Sequence, residues 1–121
     1  MAKNINRDYK IYISLLEAPT KGKITTPKDI VFYNTDRHTQ NIYLIIDIDV
    51  RDLSFILAFR NEKAYKVAGQ MVANNIVEFE IPYEYLQVAG RYEAQVVMTV
   101  GDDRMNSEPF TFTVKNSITR R

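Results

Sequence analysis

"NIYLIIDIDV", residues 41–50, is the stretch whose reading decides the fold class. Ile42, Leu44, Ile46, Ile48 and Val50 fall on one side of an extended chain, with Tyr43, Ile45, Asp47 and Asp49 on the other. A repeat of two is the signature of a half-buried strand, because successive side chains of a strand point to opposite faces. The run from 42 to 50 is the best strand in the chain.

The same pattern recurs downstream. "VEFEI" sets Val77, Phe79 and Ile81 against Glu78 and Glu80, "RYEAQVVMTV" aligns Tyr92, Ala94, Val96, Met98 and Val100, and "FTFTV" aligns Phe110, Phe112 and Val114. Weaker strand candidates cover 9–15, 29–34, 53–60 and 64–71, which brings the count to about eight. Turn-forming residues separate them: Pro19 to Gly22, Asn34 to Asp36, Arg51 and Asp52, Asn61 and Glu62, Asn74 and Asn75, and the Gly-Asp hairpin tip in "VGDDR". Only "PYEYLQVAG", opened by Pro82 and closed by Gly90, has room for one helical turn.

Short, regularly spaced strands with an apolar inner face and no intervening helices predict an all-β protein, a β-sandwich or a small barrel, and one local feature favours an antiparallel sandwich of immunoglobulin-like kind. The run Leu86, Ala89, Gly90, Tyr92, Ala94 is similar to the tyrosine corner of such domains, where a tyrosine at a strand start hydrogen-bonds back to the preceding loop. Gly90 and Tyr92 are the expected corner residues. The expected organisation is a flexible arm at 1–8, one domain at 9–115 and a tail or linker stub at 116–121.

Composition narrows the function classes. With 121 residues, 45% hydrophobic and 26% charged, the chain has the balance of a globular domain able to bury about two thirds of its unfolded surface. Without cysteine there is no disulfide framework, thiolate metal site or cysteine nucleophile. Sixteen basic against fifteen acidic residues, with no sustained block of one sign, argue against nucleic acid as a partner. No apolar run approaches the roughly 20 residues of a membrane span, and no signal peptide opens the chain.

Candidate chemistry is thin. His38, the single histidine, stands in the polar stretch "NTDRHTQ", where Asp36 and Thr39 are expected to hold a turn rather than to assist a reaction. Asp47, Asp49 and Asp52 are spaced loosely like a calcium loop, but the glycine and terminal glutamate of that motif are missing. Four scattered glycines make no phosphate-binding loop, and no serine is flanked as a nucleophile elbow requires. No catalytic residue, metal or cofactor is expected. Eight tyrosines leave a carbohydrate-binding module as the alternative, with Tyr43, Tyr83 and Tyr85 as the exposed aromatic contacts.

"DIVFYNTDRHTQNIYLIIDI" also resembles the start of the N-terminal domain of phage baseplate upper proteins, from phages of Gram-positive bacteria. The shared features are Phe32 and Tyr33 ending a strand, a polar turn with Asp36 and Thr39, and the alternating strand from Asn41 to Asp49. The similarity resumes with Ile81-Pro82, Leu86, the Gly90 and Tyr92 corner, the hairpin at Asp102 and Asp103, and a last strand around Phe110 and Phe112. It spans roughly 28 to 115. Residues 51–74 carry only generic strand pattern, and the long C-terminal region by which such proteins reach receptor-binding proteins is not in this chain.

The resemblance implies a structural, non-enzymatic module of a phage tail baseplate, made in the bacterial host's cytoplasm and resident in the virion. It would dock on other tail and baseplate proteins as a homo-oligomer and anchor the host-recognition apparatus, with Ala2 to Asp8 threading along a partner.

Overall fold

The computed structural model describes residues 8–15, 23–26, 29–34 and 40–116. Among these lie ten strands: β1 (Asp8–Ser14), β2 (Lys23–Thr25), β3 (Val31–Tyr33), β4 (Gln40–Ile46), β5 (Ser54–Arg60), β6 (Ala64–Ala73), β7 (Ile76–Ile81), β8 (Gly90–Val100), β9 (Asp103–Asn106) and β10 (Phe110–Lys115). A 3-10 turn, Tyr83–Leu86, follows Pro82. All-β architecture is what the alternation predicts, and the eight expected strands are present. β2 and β9 are additions, too short to show a repeat of two.

The strands form one curled sheet in the order β2-β1-β4-β7-β6-β5-β8-β10-β3, with β9 also on β8. Two pairings correct the antiparallel expectation: β1 lies parallel to β4, and β3 parallel to β10. Alternation dictates which face a side chain takes, not the direction of the neighbouring strand. A parallel pair also needs a long crossover, which the 25 residues between Ser14 and Gln40 supply.

The sheet has two halves, β2-β1-β4-β7 and β5-β8-β10-β3, joined through β6. Residues Ala64 to Ala68 of β6 pair with β5, whereas Gly69 to Ala73 pair with β7. Gly69 is where the strand passes between halves. A Cβ there would lie 2.5 Å from Val77 Cγ1, 2.8 Å from Phe79 Cε1 and 3.1 Å from Phe55 Cβ, so it would meet both halves at once. Past it, Val72 bulges out of register before the Asn74-Asn75 turn.

The curl encloses a single core. Ile42, Leu44 and Ile46 of β4, Leu57 and Phe59 of β5, Val77, Phe79 and Ile81 of β7, Tyr92 and Val96 of β8, and Phe112 of β10 are all buried in it. Its aromatic members meet edge to face or stacked: Phe32 with Phe112 at 5.5 Å and 80°, and Tyr92 with Phe112 at 5.0 Å and 6°. Such pairs add about 0.5–1.5 kcal/mol each beyond burial.

β4 stops at Ile46 instead of running to Val50. The Asp47 carboxylate accepts from the Leu15 N–H at 2.9 Å and the Ser14 hydroxyl at 2.7 Å, while Val50 N–H donates to Asn74 O at 2.9 Å. The backbone therefore bends around polar anchors although Val50 still reaches the core. At the other hairpin, Val100 faces Asp103 across a two-residue loop in which Gly101 takes a φ of 57°. A glycine at the first loop position with positive φ suits the right-handed twist of the flanking strands.

β9 and β10 are one strand interrupted by Ser107, Glu108 and Pro109. Ser107 is buried; its N–H donates to Val96 O at 2.8 Å, and its Oγ accepts from Val96 N–H at 2.9 Å, standing in for a ladder carbonyl. Two outcomes are expected on urea unfolding. Gly69→Ala overpacks both halves and costs about 1–3 kcal/mol, unlike a surface glycine-to-alanine change. Ser107→Ala leaves the buried Val96 N–H without an acceptor and costs a similar ~1–3 kcal/mol.

Candidate functional site

One end of the sheet is held by amides. Asn34, at the exit of β3, donates its N–H to Lys115 O at 3.0 Å and its side-chain amide to Asn116 Oδ1 at 2.6 Å and Gln87 O at 3.3 Å. Gln87 donates in return to Asn34 O at 3.3 Å and to Tyr83 O at 2.9 Å. These bonds tie β3, the 3-10 segment and the end of β10 together. Asp36 and Thr39, expected to hold the turn after Asn34, lie outside the described residues, as does His38.

Tyr92 lies beside this knot, with its ring in the core and its hydroxyl donating to Val88 O at 2.7 Å. Gly90 just before it has a φ of 142°, and a Cβ there would lie 2.9 Å from Asn61 Nδ2. The chain can thus turn tightly into β8 against the β5–β6 turn. Burial pushes the Tyr92 hydroxyl above its ordinary value, and the charges of Tyr65 and Glu62 act in the same direction.

The three tyrosines singled out for contact are half-buried. Tyr85 stacks on Tyr65 at 4.7 Å and 26°, and Tyr65 stacks on Phe59 at 5.4 Å, so this column leans on the core. Tyr43 donates its hydroxyl to Glu78 at 2.8 Å across β4 and β7. Tyr83 belongs to the 3-10 turn, and its carbonyl receives Gln87.

The free edges of the curled sheet approach each other at β2 and β3. Tyr9, on β1, spans them: its hydroxyl donates to Val31 O at 2.8 Å and accepts from Val31 N–H at 3.1 Å, while its ring meets Phe32 edge-on at 5.4 Å. On β2, Ile24 N–H donates to the Glu108 carboxylate at 3.2 Å. The seam is a groove of about 350 Å³ lined by Ile24, Thr26, Ile30 and Phe110 among others, and among the described residues Asp29 is the one titratable side chain in its lining.

Asp49 is paired locally. It accepts from the Arg51 backbone N–H at 3.0 Å and meets its guanidinium at 2.9 Å; the backbone bond foremost holds its carboxyl below the usual aspartate range, opposed by desolvation and aided by the Arg51 side-chain bond and charge. Among the described residues, no group of three or more His, Cys, Asp or Glu side chains could hold a metal ion. What this surface offers is shape, hydrogen-bonding edges and charge. Sequence reasoning missed Tyr9 and Ser107, since a tyrosine in a strand and a serine before Glu-Pro are ordinary until the seam and the strand interruption are seen.

No family model and no curated protein sequence matches the chain. Its shape does match a solved structure, the N-terminal domain of phage TP901-1 ORF48. The match covers 92% of this chain and 99% of that domain, with a TM-score of 0.65 and 15% sequence identity. The two share a fold.

The Tyr92 geometry has a pH consequence. Its folded-state value lies above the ordinary ~10 of an unfolded tyrosine, so its contribution to stability is complete below about pH 10 and is lost as pH rises through the unfolded and then the folded value. Tyr92→Phe is expected to cost about 1 kcal/mol at neutral pH by removing the bond to Val88. It should also flatten the alkaline decline of the urea midpoint that the unaltered chain shows above about pH 10.

Proposed function

We propose that this chain is a non-enzymatic structural module of a phage tail baseplate. It resides in the virion after synthesis in the bacterial host, docks on other tail proteins and helps anchor the host-recognition apparatus. The observation that carries this reading is the match over nearly the full length of both chains to a phage protein domain. It agrees with the independent resemblance of residues 28–115 to upper baseplate proteins.

The molecule suits such a part. Its polar hydrogen bonds knit strands and segments together, and its interior is filled by side chains. In this reading 9–115 is an immunoglobulin-like block whose corner is Tyr92, the arm at 1–8 follows a neighbouring subunit, and copies associate within the baseplate. Contacts are with protein; nucleic acid, membrane and cofactor play no part.

Immunogold labelling of phage particles released by the encoding host tests the reading. An antibody against this chain is expected to mark the distal tail, and the chain should co-sediment with purified tails after a high-salt wash. A chain found only in the soluble fraction of the lysate would sink the proposal. Saturable binding to the host's cell-wall polysaccharide, lost on Tyr83→Ala or Tyr85→Ala, would replace it with the carbohydrate-binding alternative.

A further inference from the structure

The outer face of the curled sheet carries an apolar centre with a charged rim on each of its two halves, and the rims differ in sign. On the β5-β6-β8-β9 face, register places Ala68, Ile56, Val97 and Asn106 side by side in one row. Ala58 lies in the next row between Lys66 and Gln95, and Thr99 pairs with Arg104 beyond. Ile56 is 36% exposed although it sits at the middle of a sheet face. Arg60, Lys66 and Arg104 rim this centre against a single carboxylate, Glu93, which is paired with Arg60 at 3.2 Å.

On the β1-β4-β7 face, Tyr12, Ile45 and Ile76 form the central row, and Tyr12 is 49% exposed. A groove of about 170 Å³ opens beside them, lined by Tyr12, Thr25, Ile45 and Asp47 among others. Among the side chains described, Glu78, Glu80 and Asp47 rim this centre against Lys10. An apolar middle with a polar rim is the anatomy of a protein–protein contact. Opposite rim charges on two faces of one molecule make each face complementary to the other.

We infer that the occupant of the basic Ile56 face is the acidic Tyr12 face of a second copy of this chain. This rests on, and deepens, the assembly part of the function proposed above. Because the two faces are different and lie on separate halves of the curled sheet, the contact is head to tail and can extend from copy to copy until a ring closes. The rim charges set orientation and rate of encounter, and the apolar rows supply the buried centre.

The test is analytical ultracentrifugation of the 121-residue chain across a wide concentration range. Association should rise with concentration and weaken between about 0.1 and 1 M salt, as the screening length falls from about 10 to 3 Å. K66E/R104E makes both faces acidic and E78K/E80K makes both basic, so each variant alone should associate at least about tenfold more weakly. Their equimolar mixture should recover the association of the unaltered chain. Glu78 also receives Tyr43, so Ile56→Asp and Glu80→Lys serve as single-site checks whose folding is verified by unfolding midpoint.

A chain that stays monomeric at every concentration overturns the inference, as do variants that associate unchanged or a mixture that fails to recover. Monomeric behaviour together with distal-tail labelling would leave the tail function standing and give the basic face to a different, acidic protein.

Discussion

The fold depends on one strand that belongs to both halves of the sheet. β6 pairs with β5 along its first half and with β7 along its second, and Gly69 marks the changeover. Val77, Phe79 and Phe55 crowd that point so closely that hydrogen is the only side chain that fits without displacement. If β6 stayed flat, the two apolar faces would point to the same side of an open sheet; curled, they enclose a common core. Packing at this density transmits any added volume to its neighbours instead of absorbing it.

Curling brings the edges of the sheet together, but among the described residues β2 and β3 are not paired with each other as in a closed barrel. Exposed strand edges invite pairing with other chains. Here side chains occupy part of that edge: the Tyr9 hydroxyl takes both the N–H and the C=O of Val31, and the Glu108 carboxylate takes the N–H of Ile24. Ser107 does comparable work inside the sheet, where its hydroxyl substitutes for a backbone acceptor at the β9–β10 interruption. In the proposed role as a building part, edges blocked in this way would leave recognition to the side-chain-bearing faces.

Those faces read differently in three dimensions than along the chain. A formal charge of +1 with no charge block suggests an electrostatically featureless molecule. Strand pairing separates the signs, collecting Lys66 and Arg104 on one face and Glu78 and Glu80 on the other. The separation is a product of register, since these residues come from three different strands.

Sequence alone determined the all-β class, the inward positions of β4, β7, β8 as far as Met98 and β10, the short helical turn after Pro82 and the hairpin at Gly101, because each is a local property of alternation or turn chemistry; Val100, expected inward, is 44% exposed at the hairpin end. The reading of a building part rather than an enzyme also comes from the sequence and stands as a proposal. Only the tertiary structure decided the parallel pairings of β1 and β3, the passage of β6 between halves at Gly69, the Tyr9 clamp and the opposed charge of the two faces. Each of these joins residues distant in sequence, and a period of two carries no information about which strand, in which direction, lies beside another.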